Sequence, residues 1–126
     1  MVLKQLLFVF IGGGMGSILR FSISKLVPNQ TGGFPWHTFI ANLAGCFLIG
    51  FFMSWIIRME WVKSDFTSFW VVGFCGGLTT FSAFAYENHN FLQQGSFLQF
   101  LLYTGSSIFL GLCLLYVGFK LNRILI

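Results

Sequence analysis

Four stretches of the chain are apolar for about the length of a membrane crossing, and polar residues gather between them. The first runs from about Leu3 to Leu26 and stays apolar until Arg20; the second runs from about Trp36 to Ile57. The third runs from about Phe66 to Tyr86 and the fourth from about Ser96 to Phe119. About 20 apolar residues cross the hydrocarbon core as a helix, which bonds its own backbone groups where no water can. The links are short. Residues 27–35 hold Pro28, Asn29, Gly32, Gly33 and Pro35 and predict a turn. Residues 58–65 are charged and residues 88–95 are polar. None of these links is long enough to divide the chain, so residues 1–126 read as one all-α, four-helix transmembrane domain. The first stretch continues past Leu19 with no processing site, so it reads as a helix rather than a cleaved leader. Trp36 and Trp55 would stand about 28 Å apart along the second helix, which suits an interfacial belt.

Composition strengthens this picture. Only 8% of the 126 residues are charged and 56% are apolar, whereas soluble domains carry about 25% charged residues. A small domain has proportionally more surface to cover, so lipid is the solvent this chain suits. Seven basic residues outnumber three acidic ones, but they stand singly and form no patch for nucleic acid. Lys4, Arg58, Lys63, Lys120 and Arg123 fall at one end of the bundle, against Arg20 and Lys25 at the other, which leans toward cytoplasmic termini. Cys46, Cys75 and Cys113 lie far apart within apolar runs, with no metal-ligand spacing, and read as buried thiols. His37 and His89 are isolated near span ends, so no hydrolytic or redox constellation appears and no enzyme is expected. Asn29-Gln30-Thr31 matches a glycosylation sequon, a short pattern in a short loop.

Polar residues inside a span face a bundle interior or a pathway, because lipid penalises them elsewhere. Gly12, Gly16 and Arg20 share one face of the first helix, and the two glycines have the spacing that lets helices approach closely. Arg20 either reaches for the interface or draws anions into a vestibule. Thr38, Asn42 and Gly45 share a face of the second helix, where Asn42 either ties helices together or lines a polar track. The third helix is the most informative. Gly76 and Gly77 are poor helix formers placed mid-span, ahead of the hydroxyls of Thr79, Thr80 and Ser82. This predicts an unwound turn whose free carbonyls and N–H groups must be satisfied, a common setting for an ion site. Phe81 and Phe84 follow, with Glu87 three residues on. Ring edges carry positive charge and can meet an anion without the grip of a full charge. In the fourth helix Tyr103, Ser106 and Ser107 place hydroxyls on adjoining faces. No carboxylate is expected at mid-span, since Glu60 and Asp65 fall in a link and Glu87 near a helix end.

These residues carry a family resemblance. Gly12-Gly-Gly-Met-Gly-Ser-Ile-Leu-Arg20, Asn42-Leu-Ala-Gly-Cys-Phe-Leu-Ile-Gly50 and Gly73-Phe-Cys-Gly-Gly-Leu-Thr-Thr-Phe-Ser-Ala-Phe84 resemble the CrcB/Fluc fluoride channels, in order and over essentially the whole length. The resemblance implies an antiparallel, dual-topology homodimer with two pores that export cytoplasmic fluoride passively across the inner (plasma) membrane. It implies that Asn42, Phe81 and Phe84 line the pore, with Thr80, Ser82, Tyr103, Ser106 and Ser107 as a polar track. Glu87 would stand at a pore mouth and Arg20 at a vestibule. The carbonyls of Gly76 and Thr79 would hold a structural sodium ion between subunits. The sequence departs from the family at Ala83, where many members have a second hydroxyl. Two other readings stand beside this one: a small four-helix multidrug or cation transporter, and a membrane assembly protein that transports nothing. The first needs a buried carboxylate to exchange protons.

Overall fold

The computed structural model describes residues 1–29 and 31–126; Gln30, the middle of the sequon, lies outside them. The described residues form helices and turns, with no strand among them. In chain order they are α1 (Val2–Leu26), α2 (Trp36–Arg58), α3 (Asp65–Thr67), a π-helical segment (Ser68–Cys75), α4 (Gly76–Leu78), α5 (Phe81–Gln93) and α6 (Phe97–Leu125). Four spans are long and apolar enough to cross a membrane: α1, α2, the composite Asp65–Gln93, and α6. Their large apolar side chains point outward to an extent no water-soluble domain tolerates; Phe10 is 79% exposed and Phe109 67%. This is a multi-pass membrane protein.

Two spans run past their expected ends. The third continues to Gln93 rather than ending near Tyr86, and the fourth to Leu125 rather than Phe119. The polar stretch after Tyr86 is therefore helix, not link. One face of α5 buries Asn88 and Phe91. The Asn88 amide donates to the Phe84 carbonyl at 3.1 Å and accepts from the Thr104 hydroxyl at 3.1 Å. Polarity alone does not end a helix that has such partners. What ends α5 is Gly95, which takes the left-handed φ of 70° and lets the Ser96 N–H close back on Phe91 at 2.8 Å. The end of α2 uses the same device with Glu60 at φ 56°, and the Trp61 N–H closes on Ile56 at 3.0 Å.

Glycines decide which helices meet. A Cβ on Gly12 would fall on the Phe69 carbonyl, and one on Gly16 on the Phe74 carbonyl. Gly77 abuts the Gly13 carbonyl in the same way, so α1 lies against the first half of the third span, backbone to backbone. On the other side Gly50 meets the Leu115 carbonyl and Gly118 the Phe47 carbonyl, which seats α2 on α6. Trp36 is exposed as an interfacial ring is. Trp55 is instead packed, its ring centroid 5.5 Å from that of Phe66 and 6.5 Å from that of Trp61. Of the thiols only Cys75 is fully buried; Cys113 faces outward from α6, against the expectation that all three are interior.

Candidate ion pathway

Two residues of the third span leave the helical conformation. Thr79 has ψ 153° and Thr80 has φ −148° and ψ 115°, between α4 and α5. The diglycine itself is helical: Gly76 and Gly77 belong to α4. In an α-helix the N–H of Thr80 would bond the carbonyl of Gly76. Here it donates to Asn42 Oδ1 at 2.7 Å. Asn42 Nδ2 donates in return to the Thr80 carbonyl at 3.2 Å. Downstream, the N–H of Ala83 would serve the Thr79 carbonyl, but it donates to Thr80 Oγ1 at 3.2 Å. The carbonyls of Gly76 and Thr79 thus lose their ordinary helical partners. Asn42, pointing from α2, substitutes for the missing turn and keeps one amide N–H to give elsewhere.

Around this segment lies a groove of about 370 Å³ lined by Asn42, Thr79, Thr80, Phe81, Phe84 and Ser107, with apolar neighbours. The phenyl rings of Phe81 and Phe84 stand 5.8 Å apart, and Phe81 is 79% exposed on this face. Six of the residues singled out from sequence therefore come together from α2, the third span and α6. Thr80 also lines a second cavity, of about 330 Å³, shared with Arg20, Ser17, His37, Thr38 and Ala83. Arg20 is no free surface cation, because its Nε donates to the Gly77 carbonyl at 3.0 Å. That bond anchors the guanidinium at the cavity wall. Thr80 is the wall between cavity and groove.

Glu87 forms a third cluster. Its carboxylate accepts from Thr38 Oγ1 at 2.5 Å and from Tyr103 Oη at 2.6 Å. His37 Nε2 lies 3.8 Å away, and the Glu87 side chain is only 15% exposed. Although α5 extends past Tyr86, this carboxylate still stands less than two turns before the end of the span at Gln93, against Thr38 in the first turn of α2 and beside Asn29, Gly32 and Pro35 of the link. Tyr103 is fully buried in an aromatic cluster with Phe34, Phe39, Phe84 and Phe91. It links the Glu87 cluster to the ring of Phe84, 5.0 Å away. The remaining hydroxyls are less engaged with these sites. Ser82 is exposed and pairs with Thr80 Oγ1 at 3.2 Å. Ser106 bonds back to the Leu102 carbonyl of its own helix at 2.5 Å. Sequence reasoning missed the parts of His37 and Ser17, and the bond from Thr38 to Glu87. Such partners are 49 residues apart in the case of Thr38 and Glu87, and only the packed helix register reveals them.

A cavity and a groove that meet at Thr80 and are lined by one cation, an amide, hydroxyls and ring edges define a small membrane protein built to pass or hold an anion. The chain belongs to the CrcB family: the model described as CrcB-like protein, Camphor Resistance (CrcB), matches residues 7–119. It is 42% identical over 119 residues to a protein of Flavobacterium psychrophilum named fluoride-specific ion channel FluC, covering 92% of this chain and 94% of that one. A Thermus thermophilus protein of the same name is 40% identical over 126 residues, covering 98% and 99%. One from Aquifex aeolicus, likewise named, is 39% identical over 116 residues, covering 91% and 94%.

Proposed function

We propose that this chain is a fluoride-selective channel, not an enzyme, through which the anion leaves the cytoplasm down its gradient across the inner (plasma) membrane. The observation that carries this reading is the groove in which Asn42, Phe81, Phe84 and Ser107 converge on the extended Thr79–Thr80 pair. Full-length relatives named as fluoride-specific channels supply the ion. Fluoride enters from the cavity at Arg20, where a fixed positive charge in a low-dielectric wall concentrates anions. Beyond Thr80 its hydration is replaced by the spare N–H of Asn42, the hydroxyl of Ser107 and the edges of Phe81 and Phe84. These are neutral donors, strong enough to admit the ion and weak enough to release it. Chloride, larger and less in need of such donors, is disfavoured. Ser82 and Ser106 extend the polar track at its margins. Glu87, held by Thr38 and Tyr103, stands at the mouth.

The groove opens on the outer face of the chain, where lipid offers no partner for amide, hydroxyl or carbonyl. A second copy covers it, and we read the assembly as an antiparallel homodimer with two pores. The same face bears on a structural sodium ion. The Gly76 and Thr79 carbonyls are hard oxygen donors with their helical N–H partners engaged elsewhere, and Gly76 is exposed. They fit an alkali cation, which would tie the two copies together at the unwound segments. The transporter alternative needs a carboxylate buried at mid-span, whereas Glu87 stands near the end of its helix, and the relatives of this chain are named as channels. The decisive experiment is fluoride efflux from liposomes holding the purified protein, read with a fluoride electrode and repeated with chloride. Rapid fluoride release with little chloride release is expected. No release from folded protein refutes the channel.

A further inference from the structure

We propose that Ser54 of α2 and Asn122 of α6 hold one buried water molecule between them, a polar lock near the end of the seam that joins the two helices. Neither residue lines the groove or the Arg20 cavity, so the site is separate from the ion pathway. Asn122 is fully buried and Ser54 is 3% exposed. Asn122 Oδ1, Asn122 Nδ2 and Ser54 Oγ all lack a hydrogen-bond partner among the described residues. Other serines within the spans bond back to their own helix, Ser22 to the Ile18 carbonyl and Ser106 to the Leu102 carbonyl. Ser54 makes no such bond, which leaves its hydroxyl for a partner outside α2.

The register of the seam carries both residues to the same end of it. A Cβ on Gly111 would meet Cys46 Sγ, one on Gly50 would fall on the Leu115 carbonyl and one on Gly118 on the Phe47 carbonyl. These contacts advance in the same sense along both helices, so α2 and α6 run parallel. Ser54 stands one turn beyond Gly50 and Asn122 one turn beyond Gly118, on the faces that make the contacts. Trp55 Nε1 also lacks a partner, but its ring packs on Trp61 and Phe66. An amide and a hydroxyl shut into an apolar seam are penalised unless something bonds them. Their chemistry selects the occupant. An anion would suit the hydroxyl and Nδ2 but meet the lone pairs of Oδ1. A metal ion would suit Oδ1 and Oγ but meet the hydrogens of Nδ2. Water both donates and accepts, so it can serve all three atoms. Buried waters ordinarily make about three hydrogen bonds to such groups. Helices that touch backbone to backbone one turn away suit an occupant that small.

The test joins a crystal structure of the full chain, at a resolution that shows ordered water, to a double-mutant cycle. The structure should show one water within hydrogen-bond distance of Ser54 Oγ and of the Asn122 amide. An empty site, or a direct bond between Ser54 and Asn122, overturns the proposal. Ser54→Ala and Asn122→Leu should each lower the melting temperature in detergent by about 5 °C, because each leaves a buried polar group short of a partner. The double variant removes both partners and with them the need for the water. It should regain most of the wild-type melting temperature, with no water at the site. Losses that simply add in the double variant overturn the proposal, since they show that the two side chains share nothing.

Discussion

At the scale of single residues, Thr80 is the pivot and Asn42 is what holds it. The amide of Asn42 donates to the Thr80 carbonyl and accepts from the Thr80 N–H. Both atoms are needed, and only an amide supplies a donor and an acceptor side by side. Asn42→Asp keeps the acceptor, loses the donor, leaves the Thr80 carbonyl unpaired and adds a negative charge to the groove. Each change works against an anion, so fluoride efflux should fall about tenfold or more, at least about 1.4 kcal/mol on the barrier. Wild-type efflux from this variant would show that Asn42 is structural only. Glu60 offers a contrasting change. It occupies the left-handed position that ends α2, at φ 56°, which disfavours any side chain with a Cβ. Glu60→Gly should stabilise the protein in detergent by about 0.5–1 kcal/mol, seen as a higher melting temperature with flux unchanged. A lowered melting temperature would mean that the Glu60 side chain makes a contact worth more than the strain.

At the scale of elements, helix pairing rests on glycines set against carbonyls, and this separates positions that look alike in sequence. Gly12, Gly13, Gly14 and Gly16 are one glycine-rich run, yet a Cβ on Gly16 would land on the Phe74 carbonyl while one on Gly14 would meet nothing within 4 Å. Gly16→Ala should therefore part α1 from the third span and cost about 1–3 kcal/mol; Gly14→Ala should be tolerated. Equal melting temperatures for the two would refute backbone-to-backbone packing there. The spacing of Gly12 and Gly16 made this face legible in advance, as apolar length did for the four spans. Other features were not legible. The π-helical turn from Ser68 to Cys75 has no signature in its composition. The helical state of residues 88–93 depends on Asn88 finding Thr104 across a helix interface, and a polar stretch read alone looks like a link. The poor helix propensity of the diglycine points to Gly76 and Gly77 as the place of unwinding, but Gly77 meets Gly13, and the extended residues are Thr79 and Thr80 further on. At the site, Asn42, Phe81 and Phe84 were legible as polar or aromatic residues set in apolar helices. His37, near a span end, carried no such mark until α5 brought Glu87 beside it.

At the scale of the whole molecule, one chain leaves unfinished chemistry on its surface. The groove of Asn42, Thr79 and Ser107 opens outward, and Phe81 beside it is 79% exposed. In lipid, every unpaired polar group on that face would cost several kcal/mol. A second copy related by a two-fold axis in the membrane plane would bring the Thr79–Thr80 segments face to face. The Gly76 and Thr79 carbonyls of both copies would then surround a shared cation. Two sets of carbonyl dipoles facing each other repel unless a positive charge lies between them, so the cation and the dimer should be linked. Replacing sodium with a large organic cation should therefore lower the melting temperature of the purified protein and raise its monomer fraction at low protein-to-lipid ratio. Readdition of sodium should restore both, with a midpoint that depends on sodium concentration as linkage requires. A dimer whose stability ignores sodium would remove the ion and leave the carbonyls to water. A chain that stays monomeric in lipid while conducting fluoride would remove the dimer too, and would require the groove to be closed by its own helices.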